Sequence, residues 1–259
     1  MQDYVISGGF FLFVLLVAEA CRFFIRRKEP RLKQDLSEVV TTVQKFLFAS
    51  EASNVRHVYG DGAYMAALTA VLFARYRGQR GTGSYANPCP LVEDVLVKRT
   101  ITVGRFCRVL VLEAASAALA AACSRFVWSL ELSPSHASLV RRRDCHSWLN
   151  VSPLAGVAIE AAATFVDRLF GLYLDRFTLG VDVYYALVSV EISAITMLGL
   201  EYTGMCFNPI SATGAMWGCK GVSAPEHFFV YWLGPIAGWM AAPLVYKWLE
   251  ALIRGSQRK

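Results

Sequence analysis

Two asparagine–proline pairs hold the best candidates for chemistry in this chain: Asn87-Pro88-Cys89 and Asn208-Pro209-Ile210. Asparagine is a favoured helix cap and proline a favoured first helical residue. Each pair therefore predicts a helix start with an amide beside free backbone N–H groups. Such a site orients a small polar molecule by hydrogen bonding and breaks no bonds. Alone, either asparagine could be a simple cap. A glutamate precedes each pair at a matched distance, however: Glu38 lies 49 residues before Asn87, and Glu160 lies 48 before Asn208. The other candidates are poorer. Arg143-Asp144-Cys145-His146 resembles a nucleophile or zinc cluster only superficially, as one loop cluster without partners. The seven cysteines show no CxxC spacing and no metal-ligand rhythm, so no metal, cofactor or catalytic group is expected.

The elements that must position these pairs are membrane-length. The 259 residues are 55% hydrophobic and 18% charged, with a mean hydropathy of +0.40. Ordinary soluble domains carry about 25% charge. The apolar excess comes in blocks, which argues against a disordered, fibrous or disulfide-stapled secreted chain. The net charge of +6 clusters between the blocks and reads as a topology signal. No basic stripe with interleaved aromatics suggests a nucleic-acid partner.

Block zero, residues 4–25, ends in Arg26-Arg27-Lys28, the reverse of a cleaved signal peptide, and reads as an uncleaved anchor. Further blocks cover residues 36–48, 63–76, 103–130, 154–174, 181–200 and 227–253. The block at 36–48 is weak, carrying Glu38, Gln44 and Lys45, and by hydropathy alone reads as a solvated amphipathic helix. The run after each Asn-Pro is too short to span. Residues 88–97 would extend about 15 Å as a helix, half of a roughly 30 Å hydrocarbon core.

The expected organisation is an all-α membrane protein. An extra N-terminal helix and basic linker (1–32) precede a first repeat at 33–130, with a half-helix at 88–97. A polar loop (131–153) leads to a second repeat at 154–251, with a half-helix at 209–217, and a tail follows at 252–259. Three spans per repeat is an odd number, so the second copy must enter the membrane inverted.

The residues at this point resemble the aquaporin family. Glu201-Tyr202-Thr203-Gly204-Met205-Cys206-Phe207-Asn208-Pro209 is similar to the family's loop into its second Asn-Pro-Ala motif, and Val230-Tyr231-Trp232-Leu233-Gly234-Pro235-Ile236-Ala237-Gly238 to its sixth helix. The first half matches through Glu38, Thr42 and its Asn-Pro pair. The Asn-Pro-Cys first motif and the additional N-terminal span resemble the unorthodox, intracellular superaquaporins. The second motif departs as Asn-Pro-Ile, and Ser211 stands where an arginine usually follows.

The resemblance implies an aquaporin-like fold of six transmembrane helices and two re-entrant half-helices. It implies a homotetramer in the lipid bilayer, with one pore per protomer. The permeants implied are water and small neutral solutes such as glycerol or hydrogen peroxide. A closed-pore structural protein is the competing reading. The location implied is the endoplasmic reticulum or another intracellular membrane, with the plasma membrane as the alternative. Glu38 and Glu160 are read as supports that bond the loops feeding the half-helices. Glu113 stays open between protonated, paired and pore-facing states. The constriction maps onto Thr196, Met205, Ser211 and either Tyr64 or Ala67, a ring without histidine or arginine and so less polar than a water-only filter. With seven spans and the N-terminus outside, eighteen of the 26 Lys and Arg fall on the cytosolic side. Arg141-Arg142-Arg143 is the local exception. The same topology leaves Cys145 and Cys219 together on the non-cytosolic side, where a disulfide can persist.

Overall fold

A computed structural model of the chain describes residues 2–141 and 145–256. Arg142, Arg143 and Asp144, and with them part of the arginine run and of the Asp144-Cys145-His146 cluster, lie outside the described residues, as do the last three residues of the tail.

The architecture is all-helical. The elements are α1 (Gln2–Ile25), α2 (Pro30–Gln79), α3 (Pro88–Leu96), α4 (Val103–Ser129), α5 (Pro134–Arg141), α6 (Pro153–Leu174), α7 (Val181–Thr203), α8 (Pro209–Met216), α9 (Ala224–Phe228) and α10 (Gly234–Ser256), with a π-helical turn at Phe229–Leu233 between the last two. Among the described residues, four helices are long and apolar enough to cross a membrane: α1, α4, α7 and the stretch from Ala224 to Ile253.

Polarity runs inside out, as it must where the outer solvent is hydrocarbon. Large apolar side chains such as Phe13, Phe24, Val111, Phe126, Leu198 and Leu244 are exposed. Serine, threonine and glutamate side chains share the interior with apolar ones, among them Thr41, Thr42, Glu51, Glu113, Glu160, Ser189 and Ser193. Small hydroxyls satisfy themselves on their own helices. The Ser193 hydroxyl donates to the Ser189 carbonyl at 2.7 Å, and Thr164 to Glu160 at 2.8 Å.

Two features of α2 were not legible in hydropathy. Its 50 residues are two helical arms, 30–59 and 61–79, joined at Gly60 with no intervening loop. Gly60 holds φ 81° and ψ −175°, a conformation that only glycine adopts cheaply. The arms fold back on each other, so Phe48 and Val71 share one cluster with Val14. The reading of residues 36–48 as a solvated helix is corrected. The polar face of the first arm (Ser37, Glu38, Thr41, Thr42, Gln44) is buried, because it faces other polar groups and not water.

The additional helix α1 runs along both arms of α2 for its whole length. At one end Tyr4 meets Tyr59 edge-on, with ring centroids 5.7 Å apart, and the Ser7 hydroxyl donates to Glu51 at 2.5 Å. At the other end the Arg22 guanidinium donates to the Gln44 side-chain oxygen at 2.5 Å. A helix of 24 residues is about 36 Å long, enough to cross a bilayer core.

The loop at 131–153 is not featureless. Its helix α5 carries His136, whose ring nitrogen lies 3.2 Å from a Glu51 carboxylate oxygen, with both side chains fully buried. Asn54 and Trp128 donate to the same carboxylate at 3.1 and 3.2 Å. This network ties α1, α2, α4 and α5 together.

Candidate functional site

Each half-helix starts as local chemistry dictates. Asn87 caps α3 in extended backbone, and its side-chain oxygen accepts from the Cys89 N–H at 3.0 Å. Asn208 caps α8 the same way, accepting from the Ile210 and Ser211 N–H groups at 3.0 and 3.2 Å. Pro88 and Pro209 occupy the first turns.

The two glutamates hold the loops that lead into these caps. Glu38 accepts from the Tyr85 and Ala86 N–H groups at 2.8 and 2.5 Å. Glu160 accepts from the Cys206 and Phe207 N–H groups, both at 3.0 Å, and from the Thr203 hydroxyl at 2.7 Å. These loops need holding, because Ala86, Met205 and Phe207 all have positive φ (51°, 46° and 55°), a conformation that costs a non-glycine residue about 1–3 kcal/mol.

The two starts meet. The Asn208 side-chain amide donates to the Ala86 carbonyl at 2.7 Å, across the two repeats. The Cys89 thiol lies 4.0 Å from the Phe207 carbonyl. The third motif residues are both buried. Cys89 is fully buried, and Ile210 packs with Phe46, Ala117 and Ala120.

Around the junction lies a cavity of about 940 Å³ whose walls include both Asn87 and Asn208. Tyr64, Thr196, Met205 and Ser211 also line it. Ala67, the other reading for the second-arm position, is not among its lining residues. The Thr196 hydroxyl is turned onto its own helix, donating to the Ile192 carbonyl at 2.7 Å. Met205 lies against Gly199, where an added Cβ would collide with the methionine side chain. The Ser211 hydroxyl has no hydrogen-bond partner in the protein and is free for a molecule in the cavity.

Glu113 is buried and lines nothing. It sits beside Glu38, Lys45 and the Asn87 backbone.

Sequence reasoning missed the cavity's charges. Lys45, Arg56, His57, Arg75, Asp167 and Arg168 all line it. The mapped ring has no histidine or arginine, but both line the cavity walls outside it. Arg56 is held by Asp61 at 2.8 Å and by Glu201. Arg168 bridges to Glu93 on α3 at 3.2 Å and lies over the Trp239 ring, 4.7 Å from its centroid. Glu93 and Asp94 both pair with Lys98, at 3.2 and 3.0 Å. The signal available for the missed group was a basic residue inside an apolar block, which is costly in lipid unless it serves a pore or a partner.

At one end of the molecule Cys145 and Cys219 form a disulfide with Cα atoms 5.0 Å apart. His146 pairs with Lys220 beside it, and Cys145 is therefore unavailable as a nucleophile. Asn150 nearby donates its side-chain amide to the Glu201 carbonyl at 2.9 Å.

The chain is similar to several known proteins. It is 28% identical to aquaporin-11 of Milnesium tardigradum over 99% of this chain and 92% of that protein. It is 26% identical to a putative aquaporin-10 of Caenorhabditis elegans, covering 92% and 84%. Against human aquaporin-11 the identity is 24%, covering 95% and 90%. The fold is similar to the X-ray structure of the aquaglyceroporin from Plasmodium falciparum, with a TM-score of 0.67 at 13% identity, covering 83% of this chain and 95% of that one. No family model matches the chain.

Proposed function

We propose that this chain, which belongs to the aquaporin family as one of its unorthodox members, conducts water and small neutral solutes passively through a pore that the two half-helices form. The observation that carries the reading is the junction itself. Two capped helix N-termini face each other, joined through Asn208 and Ala86, on the wall of a continuous cavity. Helix N-termini carry about half a positive charge each, so two of them at mid-path repel cations, including protons. The asparagine amides offer donors to a passing oxygen, and an oxygen held by both cannot relay a proton along a hydrogen-bonded file. Selection then rests on pore width, donors and the half-helix fields. The lining of Tyr64, Thr196, Met205 and Ser211 supports glycerol or hydrogen peroxide as permeants beside water.

The test is stopped-flow light scattering on proteoliposomes. Wild type should shrink faster than bare lipid, and Asn208→Leu should fall to the bare-lipid rate while remaining in the membrane. Unchanged flux in Asn208→Leu would sink the pore assignment. Bare-lipid permeability in wild type would favour a closed structural role. We further propose four protomers, each with its own pore, in the endoplasmic reticulum or another intracellular membrane. A single-protomer mass in mild detergent would count against the first, and plasma-membrane fractionation against the second.

A further inference from the structure

The turn between α1 and α2 concentrates positive charge. Arg26, Arg27, Lys28, Arg31 and Lys33 stand against one carboxylate, Glu29, so residues 26–33 carry five positive charges and one negative. The turn is ordered. The Arg26 N–H continues α1 by donating to the Arg22 carbonyl at 3.0 Å, and the Lys33 N–H opens α2 by donating to the Glu29 carbonyl at 2.8 Å. Arg26, Arg27, Lys28 and Arg31 are exposed, and Lys33 is half-buried. The carboxylates on either side are engaged elsewhere. Glu19 pairs with Arg22 at 2.6 Å, and Asp35 with Arg108 at 3.6 Å. Among the described residues, none of the five cations has an ion pair within the chain.

Two observations point this charge at a partner outside the chain. The first is local. Cations after the end of α1 suit the helix dipole, but Arg31 and Lys33 sit at the start of α2, where the dipole favours anions. That first turn holds no acidic residue, and Glu29 makes no side-chain cap. Free N–H groups and two cations therefore come together with no anion of the protein to meet them. The second is position. Phe23, Phe24 and Leu32 are exposed around the turn, and the Arg27 guanidinium lies over the Phe23 ring, 5.2 Å from its centroid. The charges thus lie where the apolar surface of α1 ends, at the depth of lipid headgroups. Positive charge on one side orients a membrane chain, but orientation does not call for unpaired cations at a helix start. We propose that the α1–α2 turn is a docking surface for the headgroups of anionic phospholipids in the cytosolic leaflet. Attraction to an anionic leaflet grows with each juxtamembrane cation, and a lipid phosphate also accepts from the free N–H groups of α2. This surface lies outside the cavity and goes beyond the channel reading.

The test is native mass spectrometry of the full chain in mild detergent, with phosphatidylserine or phosphatidylcholine added at equal concentration. Wild type should hold phosphatidylserine on the order of tenfold more tightly. Arg26→Gln, Arg27→Gln and Lys28→Gln combined should bind the two lipids alike. Arg99→Gln, Arg176→Gln and Lys247→Gln combined remove the same charge from the same side, and should keep the wild-type preference. Glycerophosphoserine, the headgroup without its acyl chains, should bind wild type far more weakly than the lipid. A wild type without preference overturns the inference, and so does a preference that survives the first triple variant or is lost equally in the second. Glycerophosphoserine binding as tightly as phosphatidylserine would make this a soluble-phosphate site and overturn the lipid assignment. A measurement on wild type covers the case in which the variants do not fold. Acetylation of Lys28, read by peptide mass against Lys247, should slow severalfold in phosphatidylserine but not in phosphatidylcholine. Equal rates in the two lipids overturn the inference.

Discussion

Glu160 is the single side chain whose loss should do most damage per atom removed. It is fully buried and satisfies three donors: the Cys206 and Phe207 N–H groups and the Thr203 hydroxyl. The hydroxyl can rotate to another acceptor. The two N–H groups cannot, because they belong to a loop in which Met205 and Phe207 already hold positive φ. A buried donor left without a partner costs about 1–3 kcal/mol. Glu160→Ala strands two, and water entering the vacated space recovers part of the loss, so about 3 kcal/mol is expected. At roughly 2–4 °C per kcal/mol for a chain of this order of size, Tm should fall by about 6–12 °C. Glu160→Gln keeps one acceptor oxygen and turns an NH2 toward a donor, so it should fall by about half as much. Thermal unfolding of purified protein in detergent reads both values, and proteoliposome flux reads the displacement of Asn208 that follows. A Tm for Glu160→Ala within about 2 °C of wild type, with normal flux, would refute the view that this carboxylate holds the half-helix entry.

Other substitutions test other joints. Gly214→Ala should destabilise by about 1–3 kcal/mol, because an added Cβ would collide with the Phe46 ring and lie 3.0 Å from the Ala117 Cβ. Gly8→Ala, with nothing within 4 Å and a position inside α1, should not lower Tm, and an equal loss for both in a denaturation series would contradict the packing described. Thiol labelling under denaturing, non-reducing conditions should find the five free cysteines, with two more appearing after reduction. Breaking the Cys145–Cys219 bridge, which closes a separation of 74 residues, should cost about 4 kcal/mol. An unshifted Tm in reductant would contradict that. In sealed vesicles a tag before α1 should resist added protease while a C-terminal tag is digested; digestion of both would leave six spans and put α1 at the surface.

Much of the site was legible in the sequence because its causes are local. An asparagine before a proline starts a helix whatever surrounds it, and a ten-residue apolar run cannot cross a bilayer whatever precedes it. The matched offsets of Glu38 and Glu160 showed a repeat without any contact being known. The order of elements and the aquaporin-like architecture follow from the same local signals.

What only the tertiary structure decided depends on which face of a helix meets which neighbour. The first arm of α2 carries Glu38, Gln44, Lys45, Glu51 and Asn54, and an average over its residues makes it look solvated. In a protein surrounded by lipid, the polar side is the inner side. Glu51 finds His136 at a separation of 85 residues and Trp128 at 77, and no window of sequence contains both partners. The φ of Gly60 closes the turn between the two arms. That Tyr64 and Lys45 line the cavity and Ala67 does not depends on the folding of one helix against another. A linear pattern shows that a residue is polar and at what spacing, but the side of the wall on which it ends depends on contacts that form only when distant helices pack.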